Sequence, residues 1–330
     1  MANKWQNLPV LVTGAGGFIG SRLVQRLVEQ CARVRAFVRY NSRADFGLLK
    51  QLPAQTLAQL EIFAGDLRDA HALALAAEGI HLVFHLGALI SIPYSYLHPD
   101  EVVESNILGT LNVLQACRTH GCRLVHTSTS EVYGSALTVP ITEAHPLQGQ
   151  SPYSASKIGA DKLVESFYRA YGVQAVTVRP FNTYGPGQSA RAVIPAIITQ
   201  ALTQDVINLG NLEAKRDFTY LDDTVDGFIK AAEAGGVQGE TFNLGTGTEI
   251  SIGELAQLVI KLVGRPVQIA VDAERLRPEA SEVTRLLSDN SKARQLLGWQ
   301  PHTSLSDGLV QTIAWIADHL DFYRVGTYER

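Results

Sequence analysis

Short, nearly unbroken apolar runs recur along the first half of this 330-residue chain, at 10–13, 34–38, 61–63, 82–85, 124–128 and 175–179. Continuous hydrophobicity, as opposed to alternation, predicts strands buried on both faces, as in a parallel sheet covered by helices. The longer stretches between them carry helical periodicity, among them 21–30, 106–119 and 153–171. Strand and helix alternating in this way predict repeated βαβ units, and so an α/β fold with a doubly wound parallel sheet. The rhythm breaks at 181–188, which is rich in Gly, Pro and Asn. This places a boundary near 180, with 1–180 forming the sheet domain and 181–330 a smaller α/β domain. A further apolar run at 241–244, followed by Gly245 and Gly247, reads as one more strand that returns to the first sheet.

The turn after the first run adds chemistry. Thr13-Gly14-Ala15-Gly16-Gly17-Phe18-Ile19-Gly20 lies between a strand and an amphipathic helix, the context in which a glycine-rich loop holds a dinucleotide. Glycine lets the backbone approach a pyrophosphate, and the amides and dipole at the helix start favour its charge. This makes the doubly wound sheet a Rossmann domain, with Gly14, Gly17, Phe18, Ile19 and Gly20 as candidate cofactor contacts. Asp66, followed by Leu67, stands at the end of the third strand; it either accepts from an adenine amino group or is a plain turn residue. At the end of the second strand an acidic residue would hold the ribose hydroxyls of NAD. Here the stretch is Arg39-Tyr40-Asn41-Ser42-Arg43, and Arg39 and Ser42 suit a 2′-phosphate, which favours NADP over NAD without excluding it.

Tyr153 and Lys157 are four residues apart in a helical pattern, so they share one face. A free phenol has a pKa of about 10, and bringing it near 7 for general-base work takes roughly 4 kcal/mol, which an adjacent ammonium and a cationic nicotinamide would supply. Upstream, the run 124–128 opens into Thr129, Ser130 and Glu131. In an open parallel sheet ligands bind beyond the carboxyl ends of the strands, so these groups are expected to line the same crevice. His85 and His126 lie inside apolar runs and read as core.

Composition narrows the function classes. A net charge of -4, from 28 basic and 32 acidic residues, gives no broad positive field for nucleic acid or an anionic membrane. The three cysteines, Cys31, Cys117 and Cys122, have no metal-ligand spacing, so no metal site is expected and a reducing compartment fits. The opening segment lacks a signal-peptide core and no later run reaches the length of a membrane span, so a cytoplasmic protein is expected.

Together, TGAGGFIG, GDLRD, STSEVYG, SPYSASK, RPFNTYGP, RDFTYLDD and LLGW, in this order over about residues 8–301, resemble the extended short-chain dehydrogenases called NAD-dependent epimerase/dehydratases. The string Thr129-Ser130-Glu131 is similar to that of sugar-nucleotide 4,6-dehydratases. Segments 88–96, 147–161 and 179–195 are most similar to nucleotide-linked N-acetylglucosamine 4,6-dehydratases of the legionaminic acid type.

The resemblance implies an NDP-hexose substrate, UDP- or GDP-N-acetylglucosamine, with 4-epimerase and UDP-glucuronate decarboxylase as alternatives and a non-catalytic dinucleotide sensor as a remote one. It implies a tightly held, recycled NADP or NAD. Tyr153, helped by Lys157 and Thr129, is then the base at the sugar's 4-hydroxyl, Glu131 the base at carbon 5, and Ser130 an aid to the hydroxyl leaving carbon 6. Asn182, Arg216 and Arg277 match positions near the nucleotide diphosphate. Asp217 and Asp223 are expected to be structural, holding the Arg216 loop or capping a helix. By analogy with the family, the helices 106–119 and 153–171 build a homodimer.

Overall fold

The computed structural model describes residues 3–276 and 278–323. Six strands fall on the six apolar runs: β1 (Pro9–Thr13), β2 (Arg33–Arg39), β3 (Glu61–Gly65), β4 (Leu82–His85), β5 (Arg123–Thr127) and β6 (Ala175–Pro180). They form one parallel sheet in the order β3-β2-β1-β4-β5-β6, and the strand Thr241–Leu244 pairs in parallel with the outer edge of β6. This is the doubly wound order, with its reversal between β1 and β4, so the ligand crevice lies beyond the carboxyl ends of these two strands.

The apolar runs are continuous because both faces are covered. Val10, Leu11 and Val12 of β1 are at most 1% exposed, although their side chains point to opposite sides. Val10 and Val12 join Phe84 and Val125 against helix α1 (Phe18–Glu29) and the helix Leu221–Glu233. Leu11, Val83 and Leu124 join a second core against the helices Ala70–Ala77 and Gly109–His120. Each such side chain contributes about 1.5–3 kcal/mol by leaving water.

One helix departs from expectation. The run read as 106–119 begins with a π-helical turn, Glu104–Leu108, which leads directly into Gly109–His120. Asn106 sits in that turn. Its amide brackets Leu89, accepting from the backbone N–H and donating to the carbonyl at 2.8 and 2.9 Å, and it also donates to Ser156 Oγ. The wider turn thereby fixes the segment that follows β4.

Beyond β6 a separate core gathers Ile194, Ile197 and Ile198 with Leu255, Val259, Leu309 and Ile316. Four short pairings shape this part. Asn182–Tyr184 runs beside Phe218–Tyr220, and Val206–Leu209 beside Gln268–Val271. Lys215–Arg216 pairs with both Ile250–Ser251 and Arg285–Leu286. Asp217 is fully buried, and burial raises its carboxyl; it accepts from the N–H groups of Thr246, Gly247 and Ser288, so it is a structural residue that ties those loops to the strand carrying Arg216. Asp223 stands inside the helix Leu221–Glu233 and accepts from the N–H groups of His302 and Thr303, which ties a distant segment down where a cap was expected. Cys117 and Cys122 are buried thiols and Cys31 is exposed. Among the described residues no helix is long and apolar enough to cross a membrane, and no cluster of side chains could hold a metal ion.

Candidate active site

The glycine loop turns at Gly14, whose φ of +68° is a region that side-chain-bearing residues avoid. A Cβ there would stand 2.7 Å from the Gly87 nitrogen after β4, and one on Gly20 would stand 2.1 Å from the Gly14 carbonyl oxygen. The loop therefore closes only with glycine at both positions. Helix α1 starts at Phe18 with Gly17 as its N-cap; among the described residues no side chain caps it, and its first turn contains no acid. Its first amides face the crevice at the switch point, which suits the pyrophosphate of a dinucleotide. Phe18 and Ile19 also pack on the core, and Leu67 lies under Gly87.

Across the crevice, the helix Pro152–Tyr171 starts on a capping box in which Ser151 and Ser154 bond each other's backbone, with Pro152 at the first position. Tyr153 is therefore in the first turn, at the rim of the sheet, with Lys157 one turn below. Both are buried. Lys157 Nζ donates to the Thr127 carbonyl at 2.7 Å, where β5 ends. Thr129 caps the short 3-10 helix Ser130–Tyr133, and its Oγ1 accepts from Glu131 N–H at 3.2 Å. The Thr129 side chain and the Glu131 carboxylate are both near enough to the Tyr153 phenol to affect its ionisation. Thus Thr129, Glu131, Tyr153 and Lys157 converge at one strand end; Ser130 is buried beside them.

The electrostatics sharpen the roles. Burial pushes the Tyr153 phenol up; Thr129 opposes this, while the carboxylates of Glu131 and Asp161 add to it. Base chemistry at this oxygen therefore needs a positive charge close by. Burial pulls Lys157 down to about 8, with Asp161 working to keep it charged. Asp161, one further turn along, is the hub of the buried network. It accepts from Ser128 Oγ at 2.8 Å and Arg179 Nη2 at 2.9 Å, and it pairs with His126 Nε2 at 3.2 Å. Burial alone would raise its carboxyl, but the His126 hydrogen bond and the charge of Arg179 hold it at about 2. Burial keeps His126 and His85 below their usual range and hence neutral, the latter between Thr13 and Thr110 hydroxyls.

At the ribose end, Ser42 is exposed in the loop after β2, and Arg39 Nη2 lies 3.5 Å from Glu101 Oε1. Asp66 follows β3 and accepts from Arg68 through both oxygens, which holds it below the ordinary carboxylate range. Asn182 Oδ1 is buried with no hydrogen-bond partner among the described residues, an acceptor that fits a ligand donor. The Arg216 side chain is buried, 3.7 Å from Glu282. Arg277 lies outside the described residues.

The sequence reading missed Asp161, Arg179 and Glu101. Asp161 continues the four-residue spacing of Tyr153 and Lys157, and Arg179 is the lone charge in its apolar strand, so both carried a signal. Glu101 comes from a separate βα unit and carried none.

A family profile described as GDP-mannose 4,6 dehydratase matches residues 11–312. The chain is 35% identical to a UDP-glucose 4-epimerase of Mycolicibacterium smegmatis, over 92% of this chain and 96% of that one. It is 31% identical to a dTDP-glucose 4,6-dehydratase of the same organism, over 96% and 95%. The solved structure of DesIV, a dTDP-glucose 4,6-dehydratase of Streptomyces venezuelae with NAD bound, superposes with a TM-score of 0.85 at 30% identity, covering 96% of this chain and 99% of that one.

Proposed function

Because this chain belongs to the extended short-chain dehydrogenase family of nucleotide-sugar epimerases and dehydratases, we propose that it is a nucleotide-sugar 4,6-dehydratase acting on UDP- or GDP-N-acetylglucosamine. The observation that carries this reading is Glu131. It provides a second base beside the Tyr153 phenol, and removal of water needs one where simple epimerisation does not. In this reading residues 1–180 hold the dinucleotide and 181–330 the nucleotide sugar.

The residues fit a nicotinamide dinucleotide. Gly14, Gly17, Phe18, Ile19 and Gly20 would hold the pyrophosphate, Asp66 and Leu67 the adenine, Arg39 and Ser42 the adenosine ribose, and Tyr153 with Lys157 the nicotinamide end. Bound there, the cofactor supplies reversible hydride acceptance. Tyr153 removes the proton of the sugar's 4-hydroxyl as carbon 4 gives up hydride and becomes a ketone. Lys157 and Thr129 stabilise the phenolate. The ketone acidifies carbon 5, Glu131 takes that proton, and the carbon 6 hydroxyl leaves as water with Ser130 assisting its protonation. Return of hydride to carbon 6 and of a proton to carbon 5 yields the 4-keto-6-deoxy sugar with no net redox change. Asn182, Arg216 and Arg277 would bind the diphosphate, Arg through its planar fork.

We read the protein as a cytoplasmic homodimer. The three cysteines, an odd number with no metal-ligand spacing, support the compartment. The exposed Leu108 and Tyr171, with Arg118 stacked 4.1 Å over the Tyr171 ring, support the helix-to-helix contact. A second reading, 4-epimerase, is favoured by the 35% identity to the mycobacterial enzyme. Incubation with UDP- and GDP-N-acetylglucosamine separates the two by product mass. A product lighter by one water supports dehydration, an isobaric one supports epimerisation, and loss of carbon dioxide from UDP-glucuronate alone makes the protein a decarboxylase.

A further inference from the structure

We propose that Glu101 sets the dinucleotide preference of this protein, holding Arg39 and adding negative charge at the ribose cavity so that the unphosphorylated cofactor is favoured. The proposal rests on the dinucleotide reading of the glycine loop and deepens it.

An acid at the end of the second strand is the usual acceptor for the ribose hydroxyls of NAD. Here β2 ends in Arg39, and the open cavity beside it is lined by Asn41, Ser42, Arg43, Asp45 and Gly47. Read along the strand, these residues invite a 2′-phosphate. The fold adds what the strand lacks. Glu101, from the helix Pro99–Val103 of another βα unit, brings Oε1 to 3.5 Å from Arg39 Nη2. Its other oxygen, Oε2, accepts from the Tyr94 hydroxyl in a short hydrogen bond. That bond, with the charges of Arg39, Arg68 and His98, holds Glu101 below its ordinary range, so it is ionised at neutral pH.

A neighbouring cation is also engaged. Arg68 bonds both oxygens of Asp66 and reaches Glu104 at 3.3 Å. A 2′-phosphate carries about -1.5 to -2 charges near neutrality. To enter, it must displace Glu101 from Arg39 and tolerate the displaced carboxylate. A ribose diol meets no such opposition and can donate to a carboxylate. Tyr94 belongs to the helix Ile92–Leu97, in the segment after β4, so the same carboxylate ties this segment to the end of β2.

The test is fluorescence titration of the full chain, stripped of dinucleotide, with NADH and NADPH. The wild-type protein is expected to bind NADH more tightly. Glu101→Gln keeps an acceptor for Tyr94 and removes the charge, and should move the ratio of dissociation constants toward NADPH by about five-fold, the upper range for an exposed pair. In an Arg39→Ala background the same change should move it far less. A wild-type preference for NADPH, or an unchanged ratio in Glu101→Gln with both cofactors bound, overturns the proposal. Failure of the wild-type protein to bind either dinucleotide overturns the cofactor reading itself, and the proposal with it.

Discussion

Replacing Asp161 with Asn tests whether the hub beneath the crevice supports both the fold and the lysine. The substitution conserves shape and keeps an acceptor for Ser128 or His126, but it leaves the Arg179 guanidinium, whose side chain is 7% exposed, without its counter-charge. Removing one partner of a buried ion pair costs about 3–5 kcal/mol, and the retained hydrogen bonds place this change near 3. With an unfolding entropy of about 2 cal/mol/K per residue, that lowers Tm by roughly 4 °C. Asp161 is held at about 2, below its unfolded value, so its stabilisation is complete above the ordinary carboxylate range and disappears as pH falls through about 2. The variant should therefore lose its deficit relative to wild type in acid.

The second readout is catalytic. Asp161 is the carboxylate that keeps Lys157 charged against burial, so in the variant the ammonium is lost at a pH below about 8 and the alkaline limb of kcat/KM moves to lower pH. Adding Arg179→Met removes the orphaned charge, which should restore much of the Tm and leave the alkaline limb displaced. Thermal melts across pH, with pH–rate profiles of all three proteins, decide the matter. An unchanged Tm at neutral pH together with an unmoved alkaline limb would refute the reasoning.

Tyr153→Phe should reduce kcat by about 100- to 10,000-fold while dinucleotide binding, followed by titration, persists. Glu131→Gln should likewise bind dinucleotide but form no dehydrated product by mass spectrometry; full activity contradicts its role. Gly14→Ala places a Cβ 2.7 Å from the Gly87 nitrogen at a φ of +68°, and should lower Tm and abolish dinucleotide binding together. In the wild-type protein kcat/KM should fall as pH rises through about 8, where Lys157 loses its proton. The same depressed pKa means that the fold bears a charge-burial cost below about 8, which is relieved as pH rises from there, so stability at neutral pH should be greater in Lys157→Met.

The sheet was legible because burial on both faces leaves a strand no polar alternation to hide in, and the six runs coincide with β1 to β6. Helix starts were less legible. Helix α1 begins at Phe18, ahead of the amphipathic pattern at 21, because its N-cap is the glycine loop itself. The π-helical turn at Asn106 could not be read, since its cause is a set of bonds to Leu89 and Ser156, distant in sequence. Within the candidate site, Tyr153, Lys157 and Glu131 were visible as residue types at telling positions. What tunes them was only partly legible: Asp161 continues the four-residue spacing, but its partner Arg179 lies on a different element, and Arg39 looked like a phosphate ligand until the fold set Glu101 against it.

The account stands most directly on a labelling experiment. The substrate UDP-N-acetylglucosamine, or its GDP counterpart, is prepared with deuterium at carbon 4 and turned over by the protein. The product should carry that deuterium at carbon 6, beside a ketone at carbon 4; deuterium found back at carbon 4, in an unchanged or epimerised sugar, would contradict the account.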